Sequence, residues 1–311
     1  MITRRQIGWE KMIDQNFFEK LNFEKLLSLE KKRRKIDKSE LVFVGMANIA
    51  SYRWCGAKAI LHSREVELDF FRAYLVDRIR YSFELNLIDK LPKKQEALLY
   101  IGDEITYNDI ERLLKKRCET FQEKSIDTEF YYLMSVKNGK AFINPFLPPE
   151  QKEVAKEIAK KEGYQIVDDL PMERGEFYHL EDPEKYPTIR WNFNWENYVI
   201  VGVPDGITDD FVYEYKTTNK SLHYIKPVAF AQADLYGYFF KRPKKRVKIF
   251  VKKENKTYVW EEKVDVENAL DILKKFKLAD KEGWVIPPKN WKCKICKYKE
   301  KCKLKNKLGG K

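Results

Sequence analysis

Asp205, Glu214 and Lys216 are the residues whose types and spacing are most suited to chemistry. The run Tyr198-Val-Ile-Val-Gly-Val203 reads as a β-strand entering Pro204-Asp205-Gly206. Asp209-Asp210 then turns the chain into a second strand, Phe211-Val-Tyr-Glu-Tyr-Lys216. Side chains alternate across a strand, so Glu214 and Lys216 share one face while Tyr213 and Tyr215 take the other. Asp205, at the end of the neighbouring strand, reaches that same face. Two converging carboxylates suit a hard cation such as Mg²⁺ or Mn²⁺. A cation there activates a water and stabilises charge on a phosphodiester, and a lysine ammonium orients that water or neutralises the charge.

Glu-x-Lys alone carries little, because it recurs at Glu30/Lys32, Glu150/Lys152, Glu254/Lys256 and Glu261/Lys263. Pro-Asp-Gly is an ordinary turn, so a surface hairpin closed by a salt bridge competes with the metal reading. The residues downstream weigh against that hairpin. Ala231-Gln232-Ala-Asp-Leu-Tyr236 falls on a helix, where Gln232 and Tyr236, four apart, share a face.

A second constellation closes the chain. Cys293-Lys-Ile-Cys296 followed by Cys302 puts three thiols in one short segment, and Cys55 and Cys118 are the candidates for a fourth ligand. Four thiolates suit zinc or an iron-sulfur cluster equally well. A site shared with Cys55, 238 residues before Cys293, would staple distant parts of the chain together.

Gly202-Val-Pro-Asp205-Gly, Glu214-Tyr-Lys216 and Gln232-x-x-x-Tyr236 together resemble the motif series of RecB-like nucleases of the PD-(D/E)XK superfamily. The close match covers residues 198–240. The resemblance implies that Asp205 and Glu214 bind the metal, that Lys216 assists catalysis, and that Gln232 and Tyr236 organise the site and contact DNA. Such enzymes often add a histidine in Gly-x-x-x-His; Gly175-Glu-Phe-Tyr-His179 fits, which makes His179 the expected further ligand. His62 is its rival, with Glu65 or Glu67 as acidic substitutes, and His223 reads as a surface residue. The one-plus-three cysteine split resembles the iron-sulfur branch of these nucleases: AddB-type recombination nucleases, exonuclease V and the CRISPR adaptation nucleases of the fourth Cas family. That likeness implies a structural [4Fe-4S] cluster on Cys55, Cys293, Cys296 and Cys302, with Cys118 a buried thiol.

Several elements must position these residues. Residues 9–36 read as a helix or two, and a long helical pattern runs from Tyr52 to Leu87. Residues 93–175 are mostly helical in pattern, with a strand-like stretch at Phe130 to Val136. After Pro187 come β-branched and aromatic runs at Ile189 to Asn194, Tyr198 to Val203, Phe211 to Lys216, Arg246 to Lys252 and Thr257 to Glu262. Helices are expected at Val228 to Phe240 and Val266 to Asp280. The plan is α/β. The resemblance implies a restriction-endonuclease-like core, a small mixed sheet flanked by helices, with an added helical region. The expected division is an N-terminal helical segment, 1–50; a nuclease core, 51–90 and 171–311; and an inserted, mainly helical subdomain, 91–170.

The formal charge of +13 favours a polyanionic partner. Lys289 to Lys311 alone holds ten lysines against Glu300, and the interleaved cysteines and Trp291 indicate a folded tail. Scattered charges through Met1 to Lys20, and the lack of any apolar run of membrane length, lead to the expectation of a soluble, cytoplasmic protein. The expected activity is Mg²⁺- or Mn²⁺-dependent hydrolysis of DNA, single-stranded or at ends, in repair, recombination or CRISPR adaptation. No G-x-x-x-x-G-K-[ST] phosphate loop occurs, so a helicase, recombination or CRISPR integration partner would be a separate chain. The competing readings are a non-catalytic iron-sulfur DNA-binding scaffold and a zinc-stapled RNA-binding protein.

Overall fold

The computed structural model describes residues 17–35, 40–123, 134–137, 140–143, 149–167, 186–219, 221–283, 285 and 288–302. The chain is mixed α/β and divides into two compact units, Met1–Leu113 with Thr188–Lys311, and Leu114–Pro187. In chain order the helices are α1 Phe23–Arg33, α2 Met46–Ala50, α3 Gly56–Glu65, α4 Glu67–Glu84, α5 Tyr107–Glu123, α6 Pro149–Lys161, α7 Leu222–Phe239, α8 Val266–Glu282 and α9 Asn290–Lys294. The strands are β1 Val42–Gly45, β2 Met134–Lys137, β3 Lys140–Ile143, β4 Gln165–Val167, β5 Trp191–Trp195, β6 Tyr198–Gly202, β7 Gly206–Ile207, β8 Phe211–Thr218, β9 Lys244–Val251 and β10 Lys256–Lys263.

The first unit holds a three-stranded sheet, β1-β6-β5, and a four-stranded one, β10-β9-β8-β7. Strand β6 is central, parallel to β1 and antiparallel to β5, and every one of its residues is buried. That is the burial expected of an unbroken Val/Ile run covered on both faces. Helix α4 packs against this sheet, where Phe71, Tyr74, Leu75 and Ile79 join Phe43, Val199 and Val201 in one core. Strand β8 is parallel to β9, and α7 makes the crossover between them. Ala229 and Ala233 of α7 pack on Val247, Ile249 and Val251 of β9. Because Glu214 pairs with Val247 and Lys216 with Ile249 in register, both side chains lie on the face covered by α7.

The small mixed sheet read from the sequence is thus two hydrogen-bonded sheets joined through Val203–Asp205. Pro204 supplies no N–H to extend the ladder of β6, and the side chain of Asp205 takes up a backbone N–H of β8 instead. Two of the expected boundaries are also corrected. The 1–50 segment is not wholly helical: Val42–Gly45 is a strand of the core sheet, and a buried four-residue apolar run does not reveal its period. Residues 91–113 belong to the first unit, where Leu98, Leu99 and Ile101 enter the main core. The second unit begins at Leu114, and among its described residues strands accompany the helices. Its sheet β2-β3-β4 is covered by α6, through Ala155 and Ala159 against Ala141 and Ile143.

The helical pattern over Tyr52 to Leu87 breaks into a 3₁₀ turn at Ser51–Arg53, α3 and α4, with Val66 between the two α-helices. Helix α7 starts at Leu222, ahead of Pro227; the proline lies in the second turn and removes one backbone hydrogen bond there. Among the described residues, no helix is long and apolar enough to cross a membrane.

Candidate functional site

Five residues singled out from the sequence come together where β6 hands over to β8 beneath α7. Glu214 is buried to 0% exposure. Lys216 Nζ makes an ion pair with its Oε1; apart from that pair, neither carboxylate oxygen has a hydrogen-bond donor among the described residues. Burial pushes the Glu214 carboxyl up to about 8, with Lys216 opposing the rise and Asp205 adding to it. Burial works against the Lys216 ammonium, but Glu214 and Asp205 outweigh it, and the lysine is held above its ordinary value. A carboxylate taken from water without hydrogen bonds is costly. Such costs concentrate where a site needs them.

Asp205 is half-buried. Its Oδ2 accepts the Tyr215 N–H at 2.8 Å, which fixes the carboxylate against β8. Thr188 Oγ1 donates to the Pro204 carbonyl at 2.5 Å and holds the same turn. From α7, Gln232 Nε2 donates to the Tyr236 hydroxyl at 3.2 Å, and that hydroxyl donates to the Val203 carbonyl at 2.8 Å. Burial first, and then Glu214 and Asp205, hold the Tyr236 phenol well above its usual value, so it stays protonated. Gln232 and Tyr236 therefore hold the Val203–Asp205 turn in position through neutral groups. Gly202 makes room for them: a Cβ there would stand 3.0 Å from Cε1 of the Tyr236 ring and 2.8 Å from Cε of Met46. Met46 can move aside, but the tethered Tyr236 ring cannot. Gly202→Ala is expected to cost about 1–3 kcal/mol, read as a lower melting temperature, and to reduce any activity that depends on the turn.

His179 lies outside the described residues. His62 is drawn off to the C-terminal segment, with Nδ1 2.9 Å from the Tyr298 hydroxyl and 3.5 Å from Glu65. Glu65 also meets Lys297, while Glu67 accepts the Phe43 N–H and pairs with Lys31. His62 and Glu65 are thus engaged by the C-terminal segment, and Glu67 by β1 and α1. His223 is exposed, as expected, in the first turn of α7.

Cys55, Cys293, Cys296 and Cys302 line one pocket, together with Trp54, Lys58, Lys292 and Lys299. Cys55 precedes α3, and the backbone N–H groups of Ala57 and Lys58 face its sulfur. Burial raises its thiol, those N–H groups lower it, and the charges of Cys296 and Cys302 raise it further. Lys292 Nζ donates to the Trp54 carbonyl at 2.5 Å, tying the C-terminal segment to the start of α3. The thiols are not drawn up to ligation: among the described residues, no three His, Cys, Asp or Glu side chains are gathered closely enough to hold a metal ion. Thiolates closing on a common centre need the cation that offsets their repulsion, and the donor set fits a thiophilic group. Cys118 belongs to the second unit and is half-buried on α5 rather than fully buried. Sequence reading missed Tyr298, which is 4% exposed and bonded to His62 and Glu65. The signal was its place between Cys296 and Cys302.

No family model matches this chain, and no curated protein matches it. Among solved structures, one titled "Crystal structure of SSO0001" is similar at a TM-score of 0.37 and 12% identity, over 91% of this chain and 96% of that one. A likeness that slight transfers neither a fold nor a role.

Proposed function

We propose that this chain is a metal-dependent deoxyribonuclease: a restriction-endonuclease-like, RecB-like core whose carboxylates Asp205 and Glu214 hold Mg²⁺ or Mn²⁺. The observation that carries this reading is Glu214, a fully buried carboxylate whose oxygens have, among the described residues, no hydrogen-bond donor beyond the Lys216 ion pair and which faces Asp205. A structural salt bridge would complete such a carboxylate with donors; a cation site leaves its lone pairs available.

Asp205 and Glu214 would be the protein ligands, with His179 the proposed third. A divalent cation bound there supplies Lewis acidity to a phosphodiester and lowers the proton affinity of a water. Lys216, kept protonated by the two carboxylates, donates hydrogen bonds to the attacking water or to a phosphate oxygen and offsets the charge that grows as the P–O bond breaks. Tyr236 and Gln232 keep the Asp205 turn in place. Purified protein with Mn²⁺ is expected to degrade labelled single-stranded DNA and to stop when the metal is chelated. An unchanged substrate over a range of Mn²⁺ and Mg²⁺ concentrations would refute the proposal.

The same reading assigns Cys55, Cys293, Cys296 and Cys302 to a [4Fe-4S] cluster that closes the core. Their convergence on one pocket, ringed by lysines that offset thiolate charge, supports it. Anaerobically purified protein is expected to be brown, absorbing at about 400 nm, a transition characteristic of thiolate-held iron-sulfur clusters. Any one of Cys55→Ser, Cys293→Ser, Cys296→Ser or Cys302→Ser should lose that colour, and Cys118→Ser should keep it. Colourless protein that contains zinc would assign the pocket to zinc instead. Repair, recombination and CRISPR adaptation are the settings proposed, with helicase or integration proteins as separate partners.

A further inference from the structure

Three aromatic rings form a chain that starts at the cysteine pocket, which Trp54 lines, and ends on α7. Trp54 meets Trp291 at 6.5 Å between centroids and 88° between planes, and Trp291 meets Tyr224 at 5.0 Å and 71°. They come from three separate segments, the turn before α3, α9 and the first turn of α7. Tyr224 is 36% exposed and both tryptophans are half-buried, so the chain of rings reaches the surface. The exposed His223 ring lies 3.8 Å from Tyr224 at 44° and extends the aromatic surface that Tyr224 presents. Two cations accompany the chain: Lys58 Nζ lies 4.6 Å from the Trp54 ring centre and Lys292 Nζ 5.3 Å from it. Tyr224 precedes Gln232 by eight residues on α7, a rise of about 12 Å. That separation is within reach of a few nucleotides.

We propose that Tyr224 and Trp291, with Lys58 and Lys292 beside Trp54, form a stacking platform that holds the unpaired bases and phosphates of single-stranded DNA leading to the carboxylate site. The platform rests on the nuclease reading for its role. Its partner follows from its own chemistry: aromatic faces take any base that is out of a duplex, and ammonium groups alongside pair with the phosphates. Bases stacked within a duplex offer no such face. Because α9 carries both Trp291 and Cys293, the cysteine pocket sets the position of half the platform.

The test is equilibrium binding of a fluorescein-labelled oligothymidylate to the full chain in chelator, where no cleavage can occur. Tyr224 is exposed, so Tyr224→Ala should fold as wild type; it should weaken binding about tenfold, while Tyr224→Phe, which keeps the ring, should bind within about twofold of wild type. With an abasic oligomer of the same length, or a duplex, Tyr224→Ala and wild type should bind alike. Lys58→Gln should lower the slope of log affinity against log salt by about one. The platform is overturned if Tyr224→Ala binds oligothymidylate as tightly as wild type, or if it loses the same factor on the abasic oligomer. Failure of the nuclease reading is separable: wild type that binds in this pattern but degrades no DNA in Mn²⁺ keeps the platform and loses the enzyme. Wild type that degrades DNA while Tyr224→Ala binds unchanged loses the platform alone.

Discussion

Lys216→Ala and Lys216→Gln should each lower Mn²⁺-dependent DNA degradation by about a thousandfold, the loss that follows removal of a preorganised charge donor, while Mn²⁺ binds no more weakly than to wild type. Lys216 is held as an ammonium by Glu214 and Asp205, so the variants lose a positive charge aimed at the reacting phosphate and keep the two carboxylates that attract the cation. Single-turnover degradation read beside a Mn²⁺ titration separates the two effects. Loss of metal binding together with activity would make Lys216 a structural counter-ion. Activity within a few-fold of wild type would remove it from the chemistry.

Glu214→Gln should abolish degradation and yet stabilise the metal-free protein at alkaline pH. The Glu214 carboxyl titrates at about 8 in the fold, against an ordinary value of 4.5. The folded state therefore holds more protons than the unfolded state between those values, and its stability falls as pH rises through that window. The shift sets a ceiling of roughly 5 kcal/mol. That shift already includes the attraction of Lys216, so the glutamine, which stands in for the neutral carboxyl, is expected to raise the melting temperature above pH 8. Below about pH 4 the variant and wild type should melt together. Equal melting curves at pH 8.5 would mean that Glu214 carries no unrelieved charge. A site that is more stable without its carboxylate is one whose shape serves a ligand rather than the fold.

Much of this site was legible because it depends on alternation and short spacing. Strand β6 announced itself by an unbroken β-branched run, β8 by its period of two, and the Gln232–Tyr236 pair by its helical spacing. Burial of Glu214 was not legible, since it depends on α7 lying over β8, a tertiary fact that no local pattern carries. The role of Asp205 Oδ2 in capping the Tyr215 N–H was hidden for the same reason. Strand β1 is hidden because Leu41-Val-Phe-Val44 is too short to show a period, and Pro227 disguises the start of α7 because it resembles a boundary. His62, a candidate by sequence position, meets Tyr298, 236 residues away, a contact that no local pattern announces. The cysteine spacing singled out Cys293, Cys296 and Cys302, while the choice of Cys55 over Cys118 as their companion came from the resemblance; these four thiols line one pocket.

Whether Asp205 and Glu214 hold a cation decides the function. Mn²⁺ binding can be measured by isothermal titration calorimetry at pH 8 on wild type, Glu214→Gln and Asp205→Asn, the last keeping an oxygen acceptor for the Tyr215 N–H. Wild type is expected to bind Mn²⁺ and both variants to lose at least about tenfold in affinity, since each removes one hard oxygen anion from the ligand set. Mn²⁺ affinity unchanged in Glu214→Gln would contradict a cation site at these carboxylates.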